Sequence, residues 1–189
     1  TTENLYKLLD AAGVPCARFS ALRGDALPPD LARYFPVDAK LSPGEIGCYA
    51  SHLAILQRIA RGELASPQLV LEDDVGLPSD LPLALDALIA ALPERWDIVR
   101  LSYHTKRVTR PIAALGEGRE LVRYSRVPTT TGAYLISASG ARKFLAQRPR
   151  RLPIDHDLKR VWEWGLDTYG VSPPLIAHDV FGQSTIDAL

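Results

Sequence analysis

The chain has 189 residues, of which 47% are hydrophobic and 23% are charged, and its 22 basic residues balance 22 acidic ones. These values are ordinary for one globular domain with a single core. The zero net charge gives no electrostatic argument for binding nucleic acid, and no apolar run reaches the roughly 18 residues of a membrane span.

Periodicity and turn residues predict alternating elements over the chain, which favour an α/β domain with a mostly parallel sheet. The predicted order is helix 5–12, strand 14–19, irregular connection 20–41, helix 42–61, strand 68–71, helix 79–92, strand 96–102, basic loop 103–119, strands 120–127 and 132–137, helices 139–147 and 155–164, and strand 169–171. The clearest local signal is Ser42-Pro43-Gly44-Glu45, which predicts a capping box at a helix start.

The two cysteines, Cys16 and Cys48, lack metal-ligand spacing and follow no signal peptide. We therefore expect small buried thiols in a reducing compartment. The sequence contains no methionine and opens directly into a helical pattern, which suggests that the native N-terminus is missing from it. The expected organisation is one domain over residues 1–189 that lacks its first strand.

Three consecutive carboxylates, Glu72, Asp73 and Asp74, follow the short apolar strand 68–71. Acids this close are costly to ionise together, and a hard cation such as Mg²⁺ or Mn²⁺ relieves their repulsion. Alternate residues of an extended segment point the same way, so Glu72 and Asp74 are the predicted metal pair and Asp73 lies opposite. In the open alternative one acid caps a turn and the others are solvated.

Two segments, 44–52 and 69–75, resemble glycosyltransferase family 25, the lipooligosaccharide galactosyltransferase family. The resemblance continues through residues 131–137, 153–155 and 174–178 and so covers nearly the whole chain. It implies a GT-A-like, Rossmann-like fold, a nucleotide-sugar donor such as UDP-galactose, a divalent metal at Glu-Asp-Asp, and inversion at the anomeric carbon. The family normally opens with an apolar strand and an arginine-rich turn, and neither is visible here. We therefore assign no residues to the nucleotide base.

Inversion in one displacement needs a base for the acceptor hydroxyl, and Asp155 and Asp157 are the candidates. Asp155 ranks first because it matches the family's Pro-x-Asp position, although it is equally well placed to be a helix N-cap. Asp157 could instead only favour the helix dipole. By resemblance His178 is a further metal ligand or phosphate contact, and a loop histidine bonded to backbone is the alternative.

The remaining candidates belong to the donor site. By similarity Ser51 and His52 lie near the nucleotide sugar, although His52 reads equally well as a satisfied, partly buried histidine. Arg100 is a charge inside an apolar strand and needs a partner, either the acidic loop or donor phosphates. The other residues assigned to this site are Asp73, Thr131 and Gly132.

These features predict a metal-dependent inverting glycosyltransferase that moves a hexose from a UDP-sugar to a cell-surface glycan such as a lipooligosaccharide core. We expect it in the cytoplasm, with peripheral contact to the inner membrane. The main alternative is a non-enzymatic relative that binds a nucleotide sugar or glycan without turnover. A receiver domain is disfavoured because it needs a phospho-accepting aspartate at the end of a strand, whereas Asp97 stands at the beginning of one. A metal-dependent phosphoesterase is disfavoured because four scattered histidines supply too few metal ligands.

Overall fold

The computed structural model describes residues 2–103 and 108–177. Its helices are α1 Thr2–Ala11, α2 Pro29–Ala32, α3 Pro43–Ala60, α4 Leu81–Ala91, α5 Ala138–Phe144, α6 Ile154–Lys159 and α7 Val161–Trp164. Its strands are β1 Gln68–Leu71, β2 Ile98–Arg100, β3 Thr109–Gly116, β4 Arg119–Tyr124, β5 Ala133–Ile136 and β6 Thr168–Ser172. None of the described helices is both long and apolar enough to cross a bilayer.

The strands form one six-stranded mixed sheet in the order β1-β5-β2-β6-β4-β3, flanked by helices. This confirms the α/β class and is consistent with a GT-A-like domain. The expectation of mostly parallel pairing is wrong for the described strands, because only β2 and β6 pair in parallel. One reason is that β5 runs antiparallel between β1 and β2, so these two strands, which point the same way, are not paired with each other.

Each face of the sheet covers its own hydrophobic cluster, because alternate strand residues point to opposite sides. Ile98 and Tyr134 pack with α3, α5 and α6 on one face. Val99 and Leu135, their neighbours in sequence, pack with α1 and α4 on the other. The sheet is therefore the middle layer of three, and Arg100, two residues after Ile98, faces α3.

Four predicted elements differ from the structure, the first being the connection predicted to be irregular over 20–41, which contains the short helix α2. Residues 14–19 form no strand and lie largely at the surface, where they have no sheet to pair with. The segment expected to be a basic loop over 103–119 instead contributes β3 and the turn into β4, which closes through the left-handed residues Gly116, Glu117 and Gly118. The helix predicted over 155–164 is divided at Arg160 into α6 and α7.

A fully buried arginine, Arg150, joins the helices on the α3 face. Its guanidinium carbon lies 4.0 Å from the ring centroid of Trp164 and 4.8 Å from that of Phe144, with Tyr34 and Tyr49 slightly farther away. Nη2 donates hydrogen bonds to the carbonyl oxygens of Phe144 and Ala146. Because the cation faces aromatic rings and carbonyls, this buried charge is stabilised without a direct salt bridge to a described residue.

Asp157 of α6 extends this cluster. The Tyr49 hydroxyl donates to Asp157 Oδ2 at 2.8 Å, and Trp164 Nε1 donates to the Asp157 carbonyl at 3.0 Å. Burial raises the pKa of the Asp157 carboxyl, while the Tyr49 hydrogen bond and the charge of Arg150 act in the opposite direction. This arrangement fixes α6 against α3.

We predict that Arg150→Met lowers the free energy of unfolding by about 2–5 kcal/mol. The substitution removes the buried cation that the Phe144 and Ala146 carbonyls and the Asp157 carboxyl face, and leaves these groups without it. The matched control is Arg151→Met, since Arg151 pairs with Asp38 at the surface and such a pair contributes at most about 1 kcal/mol. Urea unfolding followed by tryptophan fluorescence measures both. Equal losses in the two variants would contradict the assigned role of Arg150.

We also predict a pH effect for Asp157→Asn. The pKa of Asp157 is raised in the folded state, so the folded protein holds the proton more tightly than the unfolded chain does. The resulting contribution to the free energy of unfolding is complete below the unfolded-state pKa of about 3.9 and is lost as the pH rises through the folded-state pKa. Asparagine does not ionise and still accepts the Tyr49 hydrogen bond. The variant should therefore gain stability relative to the parent as the pH rises above about 4.

Urea midpoints at a series of pH values test this expectation. Asp38→Asn is the control, because the Arg151 hydrogen bond lowers the pKa of Asp38 and its small effect has the opposite sign. A stability difference between Asp157→Asn and the parent that does not change with pH would refute the prediction.

Candidate functional site

The candidate site lies where β1 and β2 end and β5 begins. In the sheet Leu71 pairs with Ala133 and Arg100 pairs with Tyr134, so these three chain segments meet at one edge. Helix α3 crosses the same face. Its N-terminus has the predicted capping box, in which Ser42 Oγ accepts from the Glu45 N–H and Glu45 Oε2 accepts from the Ser42 N–H.

Glu72 is held at this edge by backbone. Its N–H donates to the carbonyl oxygen of Gly132 at 2.8 Å, which continues the β1–β5 ladder by one residue. Glu72 Oε1 lies 3.6 Å from His52 Nε2, and His52 Nδ1 lies 2.8 Å from the Tyr134 hydroxyl. The structure thus brings together Glu72, His52 and Gly132, three of the residues predicted from the sequence.

The other two acids of the segment differ in their surroundings. Asp73 is exposed, whereas Glu72 and Asp74 are partly buried, and Asp74 Oδ1 has almost no solvent-accessible surface. This difference agrees with the predicted division into a Glu72–Asp74 pair and an outward Asp73. The coordination of a metal by that pair stays a prediction.

Arg100 is completely buried at the end of β2. None of its three side-chain nitrogens has a hydrogen-bond partner within residues 2–103 and 108–177. Burial lowers the pKa of its guanidinium, and the charges of Asp155 and Glu72 together with two tyrosines act against that shift. Arg100 is therefore a positive charge enclosed next to the acidic loop, and in this conformation it has no surface for a direct phosphate contact.

Tyr124 approaches Arg100 from β4. Gly170 is paired with Arg100 across β2 and β6, and a Cβ at position 170 would lie 2.0 Å from Tyr124 Oη. The missing side chain at Gly170 thus leaves the space that the tyrosine ring fills. Burial raises the pKa of Tyr134, and the charge of Arg100 acts in the opposite direction.

Asp155 is in the first turn of α6 and is partly exposed. It is not the N-cap, which is Pro153, and its Oδ1 accepts from the His156 N–H. The N-cap interpretation is therefore wrong, because the helix begins earlier than the sequence pattern indicated. The charge of Asp155 acts on both Arg100 and Cys48. Asp157, in contrast, points into the aromatic cluster around Arg150. The role of a base stays a prediction for both residues.

Ser51 has a different environment from His52. Its hydroxyl donates to the Gly47 carbonyl at 2.7 Å and accepts from the Leu22 N–H at 2.9 Å, so it fastens the preceding connection to α3. The approach is close enough that a Cβ on Gly47 would lie 2.5 Å from the Leu22 carbonyl oxygen. Thr131 is buried beside Gly132. The donor contacts of Ser51, Thr131 and Gly132 stay predictions.

Sequence reasoning missed Cys48. Its thiol, His52 and Glu72 each offer a ligand atom, and these three atoms lie within 4.8 Å of one another. Cys48 and His52 are four residues apart on one helix, and this spacing, which puts two side chains on one face, is the sequence signal for the pair. The expectation of two buried thiols is also wrong, since Cys16 is exposed and Cys48 is partly buried. Burial and the charges of Glu72 and Asp155 raise the pKa of Cys48 to about 12.

His178, the predicted further ligand, lies outside the described residues, as do Lys106 and Arg107 of the basic segment. Tyr134, which hydrogen-bonds His52, had no signal in the sequence because its role depends on the β2–β5 pairing. The described site therefore consists of residues from α3, α6 and the strand ends that surround Arg100.

The chain matches the sequence model of glycosyltransferase family 25 (LPS biosynthesis protein) over residues 9–158. It is 34% identical to the probable inactive glycosyltransferase 25 family member 3 of Bos taurus over 123 residues, 62% of this chain and 20% of that protein. It is 27% identical to the procollagen galactosyltransferase 2 of Homo sapiens over 159 residues, 82% of this chain and 25% of that protein.

A third relative is the procollagen galactosyltransferase 1 of Danio rerio, 32% identical over 123 residues, 62% of this chain and 20% of that protein. The chain thus spans about a fifth to a quarter of the length of these curated relatives. The family match includes Cys48, His52, the Glu72–Asp74 segment, Arg100 and Asp155. With more than half of its residues matched, the chain belongs to glycosyltransferase family 25.

Proposed function

We propose that this chain is a metal-dependent inverting glycosyltransferase that transfers a hexose from a UDP-sugar to a glycan hydroxyl. Family membership supports glycosyl transfer in general. The metal is proposed from the carboxylates of the candidate site, and the UDP-sugar donor and inversion are proposed from the resemblance to the family.

The observation that carries the proposal is the surroundings of Arg100. A fully buried guanidinium without a described hydrogen-bond partner is close enough to Asp155 and Glu72 that the charges of both carboxylates act on it. In a low-dielectric setting such a charge attracts an anion over several ångströms. Because Arg100 has no exposed surface, it would act on a diphosphate through its field and by holding the neighbouring side chains.

Glu72 and Asp74 supply the oxygen ligands that Mn²⁺ and Mg²⁺ prefer, and both are anchored next to a regular strand. A divalent cation, when bound, neutralises the charge that develops on the leaving diphosphate. The hydrogen bond from the Glu72 N–H to the Gly132 carbonyl oxygen fixes the backbone position from which the Glu72 side chain extends. Asp73, exposed beside the pair, is placed to contact the sugar or solvent.

Asp155 is the proposed base. It is partly exposed, so an acceptor hydroxyl can reach it, and it comes from α6 rather than from the acidic loop. A base must be held apart from the metal pair so that the acceptor attacks from the side opposite the leaving group. The cluster of Arg150, Tyr49 and Asp157 holds α6 against α3, which would keep Asp155 at a fixed distance from the acidic segment.

The sugar and the acceptor are proposed from the relatives. Two of them are named procollagen galactosyltransferases, which favours galactose as the hexose, and the family description names LPS biosynthesis, which favours a cell-surface glycan such as a lipooligosaccharide core. Synthesis of such a glycan places the chain in the cytoplasm, in peripheral contact with the inner membrane.

A second candidate function is donor or glycan binding without turnover. One observation favours it, since several relatives are named inactive or probable inactive family members. Calorimetric binding of UDP-galactose in the absence of any measurable transfer would support this candidate over the enzyme.

We predict that Asp155→Asn lowers the rate constant for transfer by about 10²–10⁴, because the amide cannot take the acceptor proton, while donor affinity changes little. Turnover of UDP-galactose in the presence of Mn²⁺ and calorimetric donor binding measure the two quantities. Asp38→Asn is the control at an exposed acid that pairs with Arg151. An Asp155→Asn variant with full activity would remove Asp155 as the base.

We further predict that Asp74→Ala weakens Mn²⁺-dependent donor binding by at least about tenfold, a loss of about 1.4 kcal/mol. The loss follows from removing one of two carboxylate ligands. Asp86→Ala is the control, because Asp86 is exposed on α4. Donor binding that is equal in both variants, or unchanged by a chelator, would contradict the metal assignment.

A further inference from the structure

Cys48, His52 and Glu72 form a side-chain cluster that the proposed transfer reaction does not use as a unit. Within the described parts of the chain, they are the group of three His, Cys, Asp or Glu residues whose ligand atoms come close enough to hold one metal ion. The set combines a thiol, an imidazole and a carboxylate, and it is partly buried, so it differs from a solvated group of surface acids.

The backbone places the three ligands on two rigid elements. Cys48 and His52 are four residues apart on α3, one turn of the helix, so both side chains project from the same face. Glu72 follows β1, which pairs with β5 in the sheet. Ligands on regular elements stay in place more reliably than ligands on loops.

The distances approach those of a four-coordinate site. Tetrahedral bonds of about 2.0–2.3 Å to oxygen, nitrogen and sulfur separate the ligand atoms by about 3.3–3.6 Å. His52 Nε2 and Glu72 Oε1 are already 3.6 Å apart. The Cys48 sulfur lies within 4.8 Å of one ligand atom of each of the other two residues, so rotation of the short cysteine side chain has at most about 1.5 Å to close.

Tyr134 completes the arrangement around the imidazole. Its hydroxyl lies 2.8 Å from His52 Nδ1, the nitrogen that faces away from Glu72. When Nδ1 carries the proton and donates to Tyr134, the Nε2 lone pair points toward the carboxylate. A hydrogen bond of this kind fixes the tautomer and the ring orientation of histidine ligands in metal sites.

We infer that Cys48, His52 and Glu72 form a binding site for a thiophilic divalent cation of the Zn²⁺ type. A thiolate and an imidazole suit Zn²⁺, whereas Mg²⁺ and Mn²⁺ prefer oxygen ligands. The thiol proton leaves to solvent on binding, and the thiolate and the carboxylate then neutralise the ion. Two negative ligands are needed here because the charge of Arg100, which acts on Glu72, opposes any cation nearby.

The site shares Glu72 with the carboxylate pair assigned to Mn²⁺ or Mg²⁺, so the two cations exclude each other. This part of the inference rests on the proposed function. Binding of Zn²⁺ would withdraw Glu72 from the diphosphate site and stop donor binding without blocking Asp155. The cluster is then an inhibitory site that responds to the type of divalent metal.

Cobalt provides the test of the site itself, because Co²⁺ takes tetrahedral sites of this type and shows a thiolate charge-transfer band in the near ultraviolet. We expect the band on adding Co²⁺ to the full chain and its loss on adding one equivalent of Zn²⁺. Cys48→Ser should abolish the band, and Glu72→Gln should weaken Co²⁺ binding at least about tenfold. Circular dichroism verifies that both variants are folded.

Cys16→Ser is the matched control, because Cys16 is the exposed cysteine of the chain. This variant should keep the full band and the full affinity for Zn²⁺ by calorimetry. A band that survives in Cys48→Ser, or that disappears in Cys16→Ser, overturns the site, as does the absence of any band in the parent protein.

Competition between metals tests the shared carboxylate. Bound Mn²⁺, followed by electron paramagnetic resonance, should be released by Zn²⁺ from the parent protein and retained in Cys48→Ser. Simultaneous binding of both ions overturns mutual exclusion. A protein that shows the cobalt band but binds no Mn²⁺ would refute the proposed function and leave the thiophilic site standing, so the two failures are distinguishable.

Discussion

The enclosure of Arg150 by aromatic rings is the constraint on which the α3 face depends. The guanidinium lies over Trp164 and Phe144 and donates to main-chain carbonyls, while Tyr49 bridges from α3 to Asp157 of α6. An arginine in this position costs desolvation free energy, which the rings and carbonyls offset only when all of them are in place. The cluster therefore sets the separation of α3 from α6, and with it the distance from His52 to Asp155.

Two buried arginines on the same face have opposite surroundings. Arg150 is surrounded by rings and carbonyls and contributes to the stability of the core. Arg100 lies at the end of a central strand, without a described hydrogen-bond acceptor and under the influence of two carboxylates. Arg150 Nη2 donates two hydrogen bonds to main-chain carbonyls, whereas no nitrogen of the Arg100 side chain has a described partner, and such unused donors on a buried charge are typical of functional sites.

Local signals were readable from the sequence and non-local ones were not. The capping box at Ser42 and the strand before Glu72 were predicted correctly because each depends on a few adjacent residues. The antiparallel course of β5 was missed because strand direction depends on which partners the strand finds in the sheet. The Cys48–His52–Glu72 cluster was missed for the same reason, since its third ligand is 20 or more residues away in the sequence.

The insertion of β5 between β1 and β2 also governs how the site is formed during folding. Residues around the site come from α3, the ends of β1 and β2, the start of β5, and α6, which are spread from Pro43 to Lys159 along the chain. Contacts of such high sequence separation form only after large loops have closed. The site is therefore absent from a partly folded chain, and it is complete only once β5 lies between β1 and β2 and α6 packs on α3.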